Sequence, residues 1–405
     1  MKADLVVRDL DVLLTMDEAR GEGPLGPIPN GAVAFRDETV VWLGPSQEAP
    51  EASRVVVAKG EVGLPGLVDA HTHAVWAGSR TDEWEARLRG AAYQDALAKG
   101  GGIHSTVTAT RAAQPETLTE LTTARLRHLA EARGTTTVEV KSGYGLDQAT
   151  EVAMLKAARE AGIRAGVNVM TTFLGAHVVP KEYANRRDAY VTELVQVHLP
   201  AIVGLADFVD VFVDEGAFTV DEGRRILTAA KNLGFGLKIH AEQLTYTGAA
   251  QMAAELGAVS ADHLEQIDEA GIEAMARHGT SAGLLPGAML SLRLPSPPVA
   301  ALREAGVSLF VATDLNPGSS TFYDLLTCAS LACLTMGLTV EESLLGITSR
   351  AATALGRSDV GRLTVGGKAD FVALRPAPGE PATPASILQH VGGTRLTSVV
   401  RGAAA

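Results

Sequence analysis

The chain is short of three things, and each shortage narrows its biology. It carries only two cysteines, Cys328 and Cys333, in 405 residues. Lying five apart, they fit neither a CxxC motif nor a disulfide framework, which suits a reducing, cytoplasmic setting and leaves them as small core fillers. Positive charge is scarce: 35 Lys and Arg stand against 47 Asp and Glu, a formal net charge of −12. Such a field repels nucleic acid and anionic membrane, so neither is expected as a partner. Long apolar runs are missing too. Nothing approaches the roughly 20 residues a membrane helix needs, and the opening MKADLVVRDLDV alternates like a strand instead of presenting the apolar core of a signal peptide.

What is present is the composition of a globular protein, with 46% hydrophobic and 20% charged residues, 42 Gly and 18 Pro. At roughly 100–200 residues per domain, the length allows two or three domains, or one large barrel with an appendage. The start reads as short strands and turns (ADLVVRDLDVLL, GAVAFRDETVVWLG, SRVVVAKG), and GRLTVGGKADFVALRP and LTSVVRGA near the other end share that texture. The expectation is one small β-sandwich domain composed of residues 1–62 and 357–405, interrupted by a catalytic body at 63–356.

Within 63–356 apolar runs alternate with helix-like stretches, the α/β pattern. Eight candidate strands end at His73, Lys141, His177, Asp214, His240, His263, Pro286 and Asp314. Eight is the count of a (β/α)8 barrel. The later intervals, 23 to 37 residues, lie near the roughly 31 of a 250-residue barrel divided by eight. The first interval, 68 residues, must hold an insertion, and the Gly-rich 98–111 stretch within it is the candidate mobile loop or lid. A doubly wound sheet is the competing architecture, but polar residues at so many strand ends favour the barrel.

His71 and His73 are two apart at the end of an apolar strand, so both rings face one side. An isolated HxH is more often a hydrogen-bonded strand pair. Placement reverses this, because barrel active sites gather at the C-terminal ends of strands, where five of the ten histidines (71, 73, 177, 240, 263) fall. His240 and Asp314, closing two other strands, complete a donor set suited to a catalytic Zn2+ or Fe2+. His104, His128, His198, His278 and His390 sit in helix-like or loop contexts and read as structural.

PGLVDAHTH, single histidines at two later strand ends and an Asp near the last resemble the amidohydrolase superfamily. The likeness runs through HTHAVWAGSR (71–80), GGGIHSTVTATR (100–111), EVKSGYGL (139–146), TFLGAH (172–177), HAEQ (240–243), SADHL (260–264) and ATDLNPGSS (312–320). It is similar above all to the members that open 4-imidazolone-5-propionate to N-formimidoyl-L-glutamate in histidine breakdown. The resemblance implies a (β/α)8 TIM-like metal-dependent hydrolase, a homodimer, with one Zn2+ or Fe ion per subunit on His71, His73, His240 and Asp314. The fourth strand ends in Asp214 and Glu215 where two-metal relatives carry a modified lysine, so one ion is expected. Lys141 is left to pair internally with Glu139.

It further implies that Arg80 holds the substrate carboxylate, against a surface salt bridge to Asp82 or Glu83. Tyr144, His177, Gln243, Asn316, the Gly318 backbone amide and Ser319 would contact the substrate. Asp314 would accept the water proton and His263 would polarise the carbonyl. Many related deaminases have an acid where this chain has Gln243, so Glu242 is the acid/base candidate, with His263 its rival. A deaminase of a heterocyclic base is the alternative, though a neutral base needs no carboxylate clamp. A metal-binding scaffold without catalysis would not need the full ring of Arg, Tyr and His.

Overall fold

The computed structural model describes residues 3–90 and 101–401. Two sheets organise it. The terminal sheet takes β1 (Ala3–Leu14), β2 (Pro27–Arg36), β3 (Thr39–Pro45), β4 (Ala52–Val57) and β5 (Val62–Pro65) from the start of the chain. From the far end it takes β14 (Phe371–Arg375) and β15 (Arg395–Val400), in the order β15-β14-β5-β1-β2-β3 with β4 also on β1. Asp9, at φ 59, sits where the β1–β2 register shifts, so β1 bends there; its first half pairs with β4 and its second with β5. In a flat sheet β2 and β14 would lie about 14 Å apart, three spacings of about 4.8 Å. The rings of Phe35 and Phe371 on those strands are 5.8 Å apart. The sheet therefore folds over on itself and closes around Leu10, Val33, Val40 and Phe371.

The second sheet contains all eight expected strands, in sequence order and parallel: β6 (Leu67–Asp69), β7 (Thr135–Lys141), β8 (Asn168–Ala176), β9 (Phe208–Val213), β10 (Gly236–Ala241), β11 (Ser260–His263), β12 (Ser281–Leu284) and β13 (Leu309–Val311). The ring closes just beyond its first and last strands. The Asp314 amide donates to the His71 carbonyl at 3.0 Å, the His73 amide donates to the Leu315 carbonyl at 2.9 Å, and Thr72 bridges Leu315 in parallel. The architecture is a (β/α)8 barrel with a small β domain drawn from both termini.

Local sequence explains the helices that wrap it. Thr219 and Glu222 form a reciprocal capping box ahead of Val220–Asn232. Asp147 caps Gln148–Ala165, and Gly166 ends that helix in the left-handed region. The period of two in the strands separates the faces: Val209, Val211 and Val213 of β9 join the apolar layer under the helices, as do Leu237 and Ile239 of β10.

The long first interval carries helices Thr81–Leu88, Ile103–Ala112 and Pro115–Arg127. The loop expectation for 98–111 is corrected here. Residues 98–100 lie outside the described residues, and from Ile103 the chain is helical. Ile103, Thr106, Val107 and Thr110 recur at helical spacing and are buried. Gly102, at φ 67, only makes the turn into that helix. Cys328 is buried in the core and Cys333 half-buried, both as free thiols.

Candidate metal and substrate site

His71 and His73 leave the end of β6, His240 stands near the end of β10, and Asp314 follows β13. Their donor atoms converge in the barrel mouth. Asp314 Oδ1 is 3.6 Å from His71 Nε2 and 3.4 Å from His73 Nε2, and His73 Nε2 is 3.3 Å from His240 Nε2. Four donors at about 2.0–2.1 Å from one tetrahedral ion stand about 3.4 Å apart, so these separations fit a shared ion. His71 Nε2 is buried without a hydrogen-bond partner, as a lone pair reserved for a metal would be. The three imidazoles form a group able to hold a metal ion. Burial, reinforced by the Lys141 ammonium, pushes the His71 ring well below the ordinary imidazole range, which keeps it in the neutral form that ligates.

Two carboxylates fix the far sides of these rings. His71 Nδ1 is 2.6 Å from Asp262 Oδ2, and His240 Nδ1 is 3.0 Å from Asp210 Oδ1. An Nδ1–H held by a carboxylate leaves Nε2 as the ligating nitrogen and raises its basicity. Beneath lies a fully buried layer: Lys141 Nζ donates to Glu139 Oε1 and Asp210 Oδ2, both at 2.8 Å, and Lys238 Nζ donates to Glu139 Oε2 at 2.9 Å and the Ala70 carbonyl at 2.8 Å. Lys141 thus pairs with Glu139 as expected. Burial works against ionising Asp210 and Glu139, but His240 and Lys141 outweigh it for the first, and Lys141 and Lys238 for the second, holding both below the usual carboxylate range. The two ammonium groups also stand 4.0 and 3.9 Å from Asp262 Oδ2, but burial outweighs them and pushes the Asp262 carboxyl above its usual range.

The sequence reading missed Asp210, Asp262 and Lys238. A signal was there: each is a charged side chain inside a barrel strand, and Lys238 shares the inward face of β10 with His240 by the period of two. His263 breaks that period. Adjacent to Asp262, it should point outward, but its backbone adopts φ 83 and turns the ring back inward. Glu242 (φ 53), Leu264 (φ 70) and Asp314 (φ 52) share this uncommon region just past the ends of β10, β11 and β13. Such a cluster of strained residues is typical of functional sites.

A cavity of about 270 Å3 opens above the donors, lined by His73, His240, His263 and Asp314 together with Arg80, Tyr144, His177, Gln243, Asn316 and Ser319. Ile103, Phe212, Leu244, Leu292 and Leu294 supply an apolar wall. These loop and helix side chains could not be placed from strand-end reasoning. The His177 ring stacks on His73 with centroids 5.3 Å apart, and Tyr144 lies 5.5 Å from His177. Burial depresses the basicity of both His177 and His263, leaving neutral rings toward the cavity.

Two expectations need correction. Glu242 does not line the cavity. It is buried, and its Oε1 takes the Ala250 amide and the Thr247 hydroxyl, both at 3.3 Å, at the start of helix Ala249–Leu256. The Gly318 amide is likewise committed, donating to Asn316 Oδ1 at 2.8 Å, while Asn316 Oδ1 also accepts from the Ser319 amide at 2.7 Å. Asn316 holds the turn together, and Gly318 serves by its size. A Cβ there would stand 2.1 Å from Arg80 Nη1, so only glycine lets the guanidinium lie against this loop.

The chain belongs to the amidohydrolase family, whose sequence profile matches residues 62–402. It is 46% identical to the imidazolonepropionase of Shewanella putrefaciens over 400 residues, 97% of each chain, and 48% identical to that of Shewanella denitrificans over 385 residues, 92% of each. Identity at that level over nearly whole chains sets it among the imidazolonepropionases of the family. Among solved structures, an adenosine deaminase from Xanthomonas campestris with bound zinc aligns with TM-score 0.70 at 19% identity, covering 100% of this chain and 92% of that one. The zinc complex of an atrazine chlorohydrolase from Arthrobacter aurescens aligns with TM-score 0.67 at 18% identity, covering 98% and 94%. These two share the fold.

Proposed function

We propose that the chain hydrolyses the ring amide of 4-imidazolone-5-propionate to N-formimidoyl-L-glutamate, with a single Zn2+ or Fe ion held by His71, His73, His240 and Asp314. The observation that carries this reading is one cavity with a His3Asp donor set on its floor and a buried arginine in its wall. A neutral heterocycle would gain little from that arginine, whereas a ring with an acid tail uses both ends. When bound, a divalent ion supplies a water nucleophile at neutral pH and polarises the ring carbonyl.

The chain's own groups do the rest. Arg80 binds the propionate carboxylate and so sets how far the ring reaches toward the floor. Tyr144, His177 and Gln243 hold the ring, and the Asn316–Ser319 turn bounds it on the far side. Asp314 takes the proton from the attacking water. His263, a neutral imidazole, hydrogen-bonds the carbonyl oxygen as charge develops there, and the proton that Asp314 has taken from the water is the one returned to the departing ring nitrogen. We place this work in a cytoplasmic homodimer whose catalytic body is 63–356, with 1–62 and 357–405 as its companion domain.

The test follows loss of the substrate's ultraviolet absorbance, with metal content and ammonia measured on the same sample. Ring opening without ammonia is expected; ammonia release from a heterocycle, with this substrate untouched, would instead mark a deaminase. Arg80→Ala should raise KM for the acid-tailed substrate about a hundredfold, the loss of a charged hydrogen-bonded pair of about 2–3 kcal/mol, and leave metal content unchanged. A variant that loses its metal would make Arg80 structural.

A further inference from the structure

Arg80 does not stand alone. Glu83, one turn along helix Thr81–Leu88, accepts from Arg80 Nε at 2.8 Å and lies 2.8 Å from Nη2, both through Oε2. Its other oxygen, Oε1, accepts from the Gly102 amide at 3.0 Å and the Ser105 hydroxyl at 2.8 Å. Gly102 and Ser105 bracket Ile103, which lines the cavity. One carboxylate therefore grips the guanidinium with one oxygen and the first turn of helix Ile103–Ala112 with the other. Burial opposes its ionisation, but the Ser105 hydroxyl and the Arg80 guanidinium outweigh burial and hold the carboxyl below its ordinary range.

We propose that Glu83 is a positioning residue that makes the site selective for acid-tailed substrates, by fixing the Arg80 guanidinium and the Ile103 wall as one unit. With its Nε edge taken by Glu83, Arg80 meets a substrate carboxylate through its Nη end. The guanidinium has four rotatable bonds behind it, and losing that freedom before the substrate arrives removes an ordering cost from binding. Ile103 is held at the same time, so the distance between the carboxylate site and the apolar wall is set by one side chain. This rests on the reading of Arg80 as the carboxylate clamp.

The experiment compares KM for 4-imidazolone-5-propionate with KM for a 4-imidazolone lacking the acid tail, in the parent and in Arg80→Ala, Glu83→Ala and Glu83→Gln. Glutamine offers a single acceptor oxygen, which cannot serve both Arg80 and the Gly102–Ser105 turn. Both Glu83 variants should raise KM for the acid-tailed substrate about tenfold, keep kcat within about twofold, and leave KM for the tail-less ring and the metal content unchanged. If Glu83→Ala is insoluble, Glu83→Gln carries the result. A shift in the ratio of the two KM values in Arg80→Ala but in neither Glu83 variant would overturn the role of Glu83 alone. An unchanged ratio in Arg80→Ala would overturn the carboxylate clamp, and this proposal with it. An equal rise for both substrates in the Glu83 variants would make Glu83 merely structural.

Discussion

Dialysis against a strong chelator should take turnover of 4-imidazolone-5-propionate to background and lower the melting temperature, with both restored by Zn2+ or Fe2+. The geometry asks for this result. The three imidazoles and the Asp314 carboxylate converge, with nearest donor separations of 3.3–3.6 Å, and His71 Nε2 has no hydrogen-bond partner. An ion at a thousand times its dissociation constant would stabilise the native state by about 4 kcal/mol. Metal analysis and a thermal melt check this independently of the assay. Full activity and an unchanged melt in protein containing less than a tenth of an ion per chain would refute the metal-dependent reading.

The second large effect is expected at Lys141→Met. The side chain is nearly isosteric, so the loss is of charge rather than volume. Removing the ammonium leaves Glu139 and Asp210, both wholly buried, without the donor that each meets at 2.8 Å. Breaking a buried ion pair from one side costs about 3–5 kcal/mol, and urea unfolding should show it. The site should suffer as well, because Asp210 also holds the Nδ1 side of His240. Metal retention is expected to fall along with stability. A variant that unfolds at the parent's urea midpoint with its ion in place would show that the layer does not depend on this ammonium.

How much of this could be read from residues alone depended on periodicity. The eight strands and their sequential order were legible, because apolar runs bounded by turn residues recur at barrel spacing and all but the seventh end in a polar group. HTH was legible as a chelating pair for the same reason. Reading failed where one residue overrides its neighbours. A single left-handed backbone at His263 brings two adjacent residues, Asp262 and His263, into the same interior, which no period of two foresees. The glycines of 98–111 suggested a loop, yet the buried spacing of Ile103, Thr106, Val107 and Thr110 is helical and outweighs them. Glu242 and Gln243 are neighbours with opposite fates, separated by which side chain the turn after β10 sends into the cavity. Glu83 appeared only as a competitor for Arg80, since sequence does not tell a bond that holds a side chain in place from one that occupies it.

The seam of the barrel has a consequence for how the molecule is made. The ring closes where the last strand meets the first, and Thr313 reaches Asp69 across 244 residues of chain. The three imidazole donors precede it in the chain, but Asp314 arrives only with the strand that shuts the ring. A nascent chain can gather the imidazoles, yet it has no complete ligand set until the last barrel strand has been synthesised and the seam, a contact across 244 residues, has formed. Such long-range contacts are slow to form. Acquisition of the ion is thereby tied to completion of the fold, and an unfinished or misassembled barrel is left without the means of catalysis.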